Sequence, residues 1–355
     1  MKKIILTGGG TAGHVTPNIA LLPSLQKEGF DIYYIGSKDG IEKNLVEKQG
    51  IKYYEIDTGK LRRYLSLKNL SDPFHVLNGL RQALIILKKI KPDVVFSKGG
   101  FVSVPVVIAA SFLKIPVIVH ESDMTPGLAN KICIPRATKV CYSFPETLKY
   151  LPKKKATFTD SPIREDLLSG DKKRAKELCG FDNDKPVILV FGGSSGSVIL
   201  NNTIRFTLND LLNNYNIIHL CGKDKTDSSY NNIDGYVQFD YAGNSMKDFF
   251  ALSDFVISRA GANSICELKA LAKPNILIPL SKASSRGDQI LNALSYEKHG
   301  YSLVIKEEEL TKDSLVSNIN YLSKNKEKFI NNMKSSLKNN PIDSIITIIN
   351  DITDW

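Results

Sequence analysis

Short runs of consecutive apolar residues alternate along this chain with longer segments in which apolar residues recur every three or four positions. The short runs predict strands of a parallel sheet, and the longer segments predict amphipathic helices. In the first half, strands are predicted at Ile4–Thr7, Ile32–Ile35, Tyr53–Ile56, Val94–Phe96, Val117–Val119 and Lys139–Tyr142. In the second half, they are predicted at Val187–Phe191, Ile217–Leu220, Tyr236–Phe239, Phe255–Ser258, Asn275–Ile278 and Ser302–Ile305. The helical segments between them include His14–Glu28, Leu77–Ile90, Val198–Leu212 and Gln289–Lys298.

Two of the predicted strands run directly into a glycine cluster that is followed by a predicted helix. The first cluster is Gly8–His14 and the second is Gly192–Ser197. Glycines let the backbone approach a ligand closely, and a helix N-terminus attracts phosphate. One such construction in each half predicts an α/β fold of two Rossmann-like, doubly wound domains that face each other across a cleft.

The length and the turn residues suggest where the domains divide. A chain of 355 residues is longer than one ordinary core, and a lysine-rich stretch bounded by Pro152 and Pro162 could link two cores. We therefore expect domains at residues 1–160 and 161–340. After Pro341, isoleucines recur at helical spacing, which predicts that 341–355 form a helix packed on one of the domains.

Charge and cysteine content narrow the class of protein. The net charge is +10, and residues 1–160 hold 24 basic and 13 acidic side chains, so the positive charge lies in the first half. Such a half favours contact with an anionic surface, although solvated lysines are an alternative. The five cysteines form no C-x-x-C pair, which indicates a reduced, cytoplasmic protein without a zinc site. No signal peptide and no apolar stretch of about 20 residues is found.

The segment between the third and fourth predicted strands mixes cations with large apolar residues. It contains Lys60, Arg62, Arg63, Leu65, Leu67, Lys68, Leu70, Phe74 and Leu77. This mixture favours an anionic membrane surface, where charges meet lipid headgroups and apolar groups insert, while a helix packed on the core would also explain the leucines. Nucleic acid is disfavoured, because few aromatic residues are available to stack on bases.

Several motifs allow both a functional and a structural interpretation. Gly8-x-Gly10-x-x-Gly13 matches the dinucleotide fingerprint, but the acid that a nicotinamide site needs after the second strand is missing. His14 could take a proton or bind a phosphate, or simply begin a helix. His120-Glu121-Ser122-Asp123 follows the strand predicted to end at Val119, and could meet a ligand or form a satisfied loop.

Three motifs of the second half also allow both a functional and a structural interpretation. Ser264-x-x-Glu267 favours a helix capping box, although Glu267 could instead accept the hydroxyls of a ribose. Asp288, Gln289 and Asn292 share a helix face that could bind sugar hydroxyls. The sequence 182–184 has the D-x-D pattern of some metal-dependent glycosyltransferases. It precedes a strand and so lies at the wrong end of a sheet, so we interpret it as a turn and predict no metal.

Six short motifs occur in an order and spacing that resemble a known family. They are Gly9-Gly10-Thr11-Ala12-Gly13-His14, Gly99-Gly100-Phe101-Val102-Ser103, His120-Glu121, Gly192-Gly193-Ser194-x-Gly196, Arg259-x-Gly261-Ala262 and Gln289-x-x-Asn292. Over essentially the whole chain they resemble the peptidoglycan N-acetylglucosaminyltransferases of the MurG type. The resemblance implies a GT-B fold and transfer of GlcNAc from UDP-GlcNAc to the 4-hydroxyl of MurNAc in lipid I, with inversion, giving lipid II. It implies no nicotinamide or other cofactor, and a peripheral protein on the cytoplasmic face of the cell membrane.

The resemblance also implies roles for individual residues. The donor-binding set would be Thr11, Ala12, Gly13, Asp123, Arg164, Ser194, Ala262, Glu267, Gln289 and Asn292. The acceptor lipid would meet the first domain at Gly99, Gly100, Phe101 and Ser103. His14 is the first candidate for the base that removes the acceptor proton, and Glu121 is the second. Ala12, Asp123 and Asp288 depart from the usual family residues, which are glycine, asparagine and glutamine.

Three other functions remain as alternatives at this point. A UDP-GlcNAc 2-epimerase of the same fold would form UDP-ManNAc without an acceptor. A non-catalytic membrane-binding subunit would release no UDP, and a nicotinamide enzyme would bind NADH. Release of UDP that depends on an acceptor lipid separates the transferase from all three.

Overall fold

The computed structural model describes residues 1–58, 72–193, 195–285 and 287–354, without the side chains of 72–74. Within it the chain divides into two compact units. The first unit combines Met1–Arg164 with Asn339–Trp355, and the second is Glu165–Lys338. No helix among the described residues is both long and apolar enough to cross a membrane.

The first unit is built on a seven-stranded parallel sheet with the order β3-β2-β1-β4-β5-β6-β7. Its strands are β1 (Lys3–Thr7), β2 (Asp31–Ser37), β3 (Lys52–Ile56), β4 (Val94–Ser97), β5 (Val117–Glu121), β6 (Lys139–Tyr142) and β7 (Ala156–Phe158). Leu6 pairs with Tyr34 of β2 on one side and with Phe96 of β4 on the other. Because the strand order reverses between β1 and β4, their carboxyl ends flank the crevice where doubly wound sheets bind ligands.

Helices cover both faces of this sheet. They are α1 (Ala12–Ala20), α2 (Leu22–Lys27), α3 (Ile41–Glu47), α4 (Asp72–Ile90), α5 (Ser103–Phe112) and α6 (Leu128–Cys133), with short 3-10 turns at Ile134–Arg136 and Pro145–Tyr150. Ile5 and Val95 pack with the helix residues Leu87 and Val107 in one core. Ile4 belongs to the core on the other face. Alternate side chains of β1 therefore serve two cores, as the two-sided burial of a parallel strand requires.

The C-terminal helix, Pro341–Thr353, completes the second of these cores. Ile342, Ile345, Ile346 and Ile349 are buried there beside residues of β1 and α2. Asn340 caps the helix by accepting a hydrogen bond from the N–H of Ile342 at 2.9 Å. The apolar face of the C-terminal helix thus packs on the first unit, although more than 300 residues of sequence separate this helix from β1.

The second unit has a six-stranded parallel sheet with the order β10-β9-β8-β11-β12-β13. Its strands are β8 (Val187–Phe191), β9 (Asn216–Leu220), β10 (Tyr236–Phe239), β11 (Phe255–Ser258), β12 (Asn275–Leu277) and β13 (Leu303–Val304). Its helices are α7 (Lys172–Cys179), α8 (Val198–Leu211), α9 (Met246–Leu252), α10 (Ala262–Ala270), α11 (Asp288–Lys298), α12 (Lys312–Lys324) and α13 (Lys326–Ser336). Further 3-10 turns lie at Glu165–Ser169, Ser228–Tyr230, Gly243–Ser245 and Glu307–Glu309. The strand order reverses between β8 and β11, so this sheet has the same kind of crevice.

Three sequence-based expectations on local structure differ from the structure. The helix predicted over His14–Glu28 is divided at Leu21, because Pro23 has no N–H to continue a helix and instead stands in the first turn of α2. The strand predicted to end at Val119 continues through Glu121, so His120 and Glu121 are strand residues and not loop residues. The stretch 152–162, taken as a linker, contains the edge strand β7.

Candidate functional site

The first glycine cluster forms a tight loop after β1 that is held by a buried carboxylate. Glu42, in the first turn of α3, accepts hydrogen bonds from the N–H of Gly10 at 3.2 Å and from the N–H and hydroxyl of Ser37. A Cβ on Gly9 would lie 2.5 Å from the carboxyl carbon of Glu42. Any larger residue at position 9 would therefore displace the carboxylate of Glu42. Glu42 is not predicted from the sequence, because nothing near it in the chain marks it as a partner of the loop.

The loop after β4 lies against the loop after β1. Gly99 and Gly100 have φ of +93° and +82°, which favour glycine, and a Cβ on Gly100 would lie 2.3 Å from the carbonyl oxygen of Gly9. Ser103 is buried and donates its hydroxyl to the carbonyl of Gly100 at 2.7 Å. We refer to the two loops, Gly8–Gly10 and Gly99–Gly100, as the glycine platform. The structure thus brings His14 and the predicted acceptor residues to one edge of the sheet.

Two helices begin at the glycine platform with no capping side chain. Neither Thr11, before α1, nor Val102, before α5, accepts a side-chain cap hydrogen bond, and neither helix has an acid in its first turn. Thr11 is exposed, and Ala12, Gly13 and Phe101 are half-buried. Helix N-termini of this kind favour an anion, because backbone N–H groups and the helix dipole point toward it. The platform therefore has the chemistry of a phosphate site.

His14 is held at this platform in a defined orientation. Its Nδ1 lies 3.1 Å from the carbonyl oxygen of Gly9 and 3.2 Å from the hydroxyl of Thr11. Since a carbonyl can only accept, Nδ1 carries the proton and Nε2 has the lone pair. Burial and the nearby Lys98 cation lower the pKa of His14 to about 4, against smaller opposite effects of Gly9 and Glu42. The imidazole is therefore neutral at physiological pH.

The second candidate base, Glu121, is engaged in a different way. Its carboxylate is buried at the end of β5 and accepts hydrogen bonds from Asp123 N–H at 2.9 Å, Gly127 N–H at 3.2 Å and Asn130 Nδ2 at 2.8 Å. Burial and the charge of Asp123 raise the pKa of Glu121 to about 7. These bonds fix the loop from Asp123, which is half-buried, to α6. Of the two interpretations of His120–Asp123, the contacts support the satisfied network for Glu121.

His120 is fully buried beside Glu121 and contacts Lys98, which is not among the residues predicted from the sequence. Its Nε2–H donates to the carbonyl of Asp160 at 2.8 Å, so Nδ1 is the acceptor for the ammonium of Lys98 at 2.6 Å. Burial and the Lys98 charge place the pKa of His120 well below its usual value. Lys98 immediately follows β4, and only its spacing from the strand could have indicated that it lies beside the platform.

In the second unit, the glycine cluster after β8 also packs on a neighbouring loop. Gly196 has φ of +65°, and a Cβ there would lie 2.0 Å from the carbonyl oxygen of Cys221, at the end of β9. Ser197 caps α8 by accepting from the N–H of Leu200 at 3.3 Å. The same hydroxyl accepts from Arg259, which is buried and forms an ion pair with Glu307. Ser194 lies outside the described residues.

The helix after β11 begins one turn earlier than a capping box would require. α10 starts at Ala262, with Gly261 as the N-cap and no side-chain cap hydrogen bond. Glu267 therefore lies in the second turn, half-buried, and the predicted Ser264–Glu267 capping box is wrong. The reason is that Gly261 already has the extended backbone of an N-cap. Ala262 is buried at the helix start, beside the strand end.

The predicted sugar-binding side chains of α11 contact backbone groups. Gln289 accepts from the N–H of Leu280 at 3.1 Å, and Asn292, which is buried, donates to the carbonyl of Ala260 at 3.4 Å. Gln289 and Asp288 are half-buried. Asn292 thus lies beside the loop that leads into α10.

The other predicted positions are distributed over the chain. Arg164 is half-buried and is the last residue of the first unit's main segment. Asn183, in the D-x-D sequence, accepts from Lys185 N–H at 3.0 Å in the turn before β8. Within the described ranges, no group of three or more His, Cys, Asp or Glu could hold a metal. Of the cationic and apolar segment between β3 and β4, residues 59–71 and the side chain of Phe74 lie outside the described part of the chain, and Leu77 is exposed on α4.

Comparison with known proteins is consistent with the geometry of both glycine sites. Residues 4–142 match the family model of the "Glycosyltransferase family 28 N-terminal domain", and residues 187–348 match the "Glycosyltransferase family 28 C-terminal domain". A relative from Lachnospira eligens (strain ATCC 27750 / DSM 3376 / VPI C15-48 / C15-B4) is 61% identical over 99% of both chains. One from Clostridium tetani (strain Massachusetts / E88) is 60% identical over 98% of this chain and 97% of its own. Both are named UDP-N-acetylglucosamine--N-acetylmuramyl-(pentapeptide) pyrophosphoryl-undecaprenol N-acetylglucosamine transferase.

Among solved structures, the crystal structure of MurG from Acinetobacter baumannii superimposes with a TM-score of 0.79. Its sequence is 25% identical, and the match covers 99% of this chain and 100% of that one. The fold prediction of two parallel-sheet domains of the GT-B type is thereby confirmed. The chain belongs to glycosyltransferase family 28.

Proposed function

We propose that this chain transfers GlcNAc from UDP-GlcNAc to the MurNAc sugar of lipid I, forming lipid II for peptidoglycan synthesis. The observation that carries this conclusion is the full-length identity of about 60% to relatives named for that transfer. A glycine loop followed by a helix N-terminus in each unit supports the proposal, because the nucleotide donor and the pyrophosphoryl lipid both carry phosphate groups. The 2-epimerase alternative is less supported, because these relatives carry the name of a transferase.

The second unit supplies the site for the donor in this proposal. The loop Gly192–Ser197 and the N-terminus of α8 would bind the diphosphate, together with Arg164. Glu267 would accept the ribose hydroxyls, and Gln289 and Asn292 would bind GlcNAc. Charge that grows on the departing UDP would be stabilised by helix N–H groups and by the guanidinium.

The glycine platform of the first unit would bind the acceptor diphosphate. Its two uncapped helix N-termini and the neutral His14 support this assignment. The 4-hydroxyl of MurNAc would attack the anomeric carbon of GlcNAc while the bond to UDP breaks, and His14 Nε2 would take the hydroxyl proton. Anionic diphosphate bound nearby would oppose the effect of Lys98 and make the imidazole a stronger base.

We expect the protein to act peripherally on the cytoplasmic face of the cell membrane. Leu77 and Ile85 are exposed on α4 at eight-residue spacing, so they share one face with the exposed Arg81, and Lys88 and Lys89 end the helix. An apolar face flanked by cations suits an anionic lipid surface. Sedimentation with anionic but not with zwitterionic vesicles would support this placement, and equal recovery with both would contradict it.

The test of the transfer reaction is UDP release from UDP-GlcNAc with and without a soluble lipid I analogue. We expect release only with the acceptor, and no UDP-ManNAc from the donor alone. His14→Ala should lower kcat by about a hundredfold or more, in the range of a lost general base. His299→Gln is the matched histidine control, since His299 lies in the second unit, where its Nδ1 contacts the carbonyl of Ser295 and its ring stacks on Tyr301. Near-normal kcat in His14→Ala would eliminate His14 as the base.

A further inference from the structure

A buried lysine lies directly behind the glycine platform. Lys98 follows β4, and its N–H donates to the carbonyl of Thr7 at 2.9 Å, joining the ends of β4 and β1. The Cβ of Lys98 is 3.2 Å from the position that a Cβ on Gly8 would occupy, and the residue is only 1% exposed. The lysine therefore contacts the loop that holds His14 without being part of its surface.

The ammonium of Lys98 connects three separate segments. It donates to His120 Nδ1 at 2.6 Å, to the hydroxyl of Ser122 and to the hydroxyl of Ser161 at 3.3 Å. Nε2 of His120 donates its hydrogen to the carbonyl of Asp160, so the neutral ring has no second N–H and accepts from the lysine through Nδ1. The side chain thus ties the end of β4 to the end of β5 and to the turn that leads out of the first unit.

A buried cation at this place also acts on its neighbours electrostatically. Lys98 lowers the pKa of both His14 and His120. The other charged group that acts on His14 is Glu42, and it has the smaller effect, in the opposite direction. Lysine is rarely fully buried, because moving an ammonium out of water is costly unless its hydrogen bonds are satisfied.

We propose that Lys98 is a positioning residue of the glycine platform, which clamps the ends of β4 and β5 to the Asp160–Ser161 turn and places a fixed positive charge behind His14. This role rests on the proposed function, since the charge would support the neutral imidazole and an anionic acceptor on the same platform. It differs from a purely structural clamp, which would hold the segments together but leave the proton affinity of His14 unchanged.

The first measurement is the titration of His14, followed by NMR in protein labelled at the histidine Cε1 and assigned with His14→Gln. In the wild type we expect His14 to remain unprotonated at pH 5. In Lys98→Gln, which keeps a donor but removes the charge, the midpoint should rise by roughly one unit. Lys98→Met removes both the hydrogen-bond donor and the charge, and should raise the midpoint as well. Lys27 is exposed on α2, so the control Lys27→Met should leave the midpoint of His14 unchanged.

The second measurement separates the acceptor from the donor. In Lys98→Gln, kcat/KM for a soluble lipid I analogue should fall about tenfold, while KM for UDP-GlcNAc changes less than twofold. An unchanged His14 midpoint in a folded Lys98→Gln protein would overturn the proposal, even if stability fell. A wild-type midpoint near 6.5 would overturn it without any variant. The titration of His14 does not require turnover. If no GlcNAc transfer were observed, the proposed function would be refuted, and the effect of Lys98 on His14 would still be measured separately.

Discussion

The close approach of the two glycine loops in the first unit can be tested with a matched pair of alanine substitutions. Gly100→Ala places a methyl group 2.3 Å from the carbonyl oxygen of Gly9, at φ of +82°. Gly10→Ala has nearly the same φ, +85°, but its Cβ would meet nothing within 4 Å. The two variants therefore share the backbone strain and differ in the contact between the loops.

The size of the expected difference follows from these two terms. An alanine at positive φ costs about 1–2 kcal/mol. The methyl of Gly100→Ala must in addition push the loops apart by about 1 Å to reach ordinary contact, and such overpacking costs about 1–3 kcal/mol. We expect Gly10→Ala to lose only the first amount and Gly100→Ala to lose both. For a unit of this size, 1 kcal/mol changes Tm by about 2–4 °C.

Calorimetry on the full chain measures the comparison. Gly100→Ala should lower the Tm of the transition of the first unit by roughly 2–12 °C more than Gly10→Ala does. UDP release with a lipid I analogue should fall in Gly100→Ala, since the platform would be widened. Equal Tm values for the two variants would refute the close packing of the loops as a source of stability.

Two further predictions concern buried charged groups, and a third concerns the glycine loop of the second unit. The pKa of Glu121 is raised to about 7 from an unfolded value near 4.5, so its protonated form stabilises the fold below pH 4.5, and this stabilisation of about 3 kcal/mol is lost as the pH rises through 7. Because glutamine does not titrate, the Tm of Glu121→Gln should rise relative to that of the wild type between pH 5 and pH 8. A Tm difference that does not change with pH would contradict the raised pKa. Arg259→Met should destabilise the second unit by about 3–5 kcal/mol in chemical unfolding, because Glu307 would be left buried without its ion pair. Adding Glu307→Gln to this variant should restore part of the lost stability. If no stability were restored, the ion pair between Arg259 and Glu307 would not be the cause of the loss. Gly196→Ala, whose Cβ would meet a carbonyl at 2.0 Å, should lower the Tm more than Gly193→Ala, which has positive φ in open space, and the reverse order would be inconsistent with the loop packing.

The strands could be predicted from the sequence because burial on both faces leaves a strong local signal. β1 and β8 are runs of consecutive apolar residues that end at glycine, and both were predicted within one residue. The edge strand β7 was missed, since Ala156–Phe158 is short, partly exposed and directly preceded by three lysines. The capping box failed for a related reason, because Gly261 and Ser264 are both acceptable at a helix start and only the packed structure selects between them.

The platform itself could be predicted only in part. Glycines and His14 stand next to each other in the chain, so their pattern indicates a ligand site directly. Glu42, on the helix α3, is 32 residues beyond Gly10, and Lys98, after β4, is 84 residues beyond His14, yet both act on the same loop. A charged residue buried by long-range packing has the same sequence appearance as one on the surface, and no single-sequence pattern distinguishes them.

The two glycine sites have the same backbone plan but different charged side chains behind them. In the first unit Lys98 and Glu42 both act on His14, so the residue proposed as base is tuned by two opposite charges. In the second unit Arg259 is neutralised by Glu307 and donates to Ser197, which caps the helix that follows the loop. The second arrangement holds a loop in shape, as a nucleotide site requires. The charges of the first act on the pKa of His14, which supports our proposal that the proton transfer takes place at the platform of the first unit.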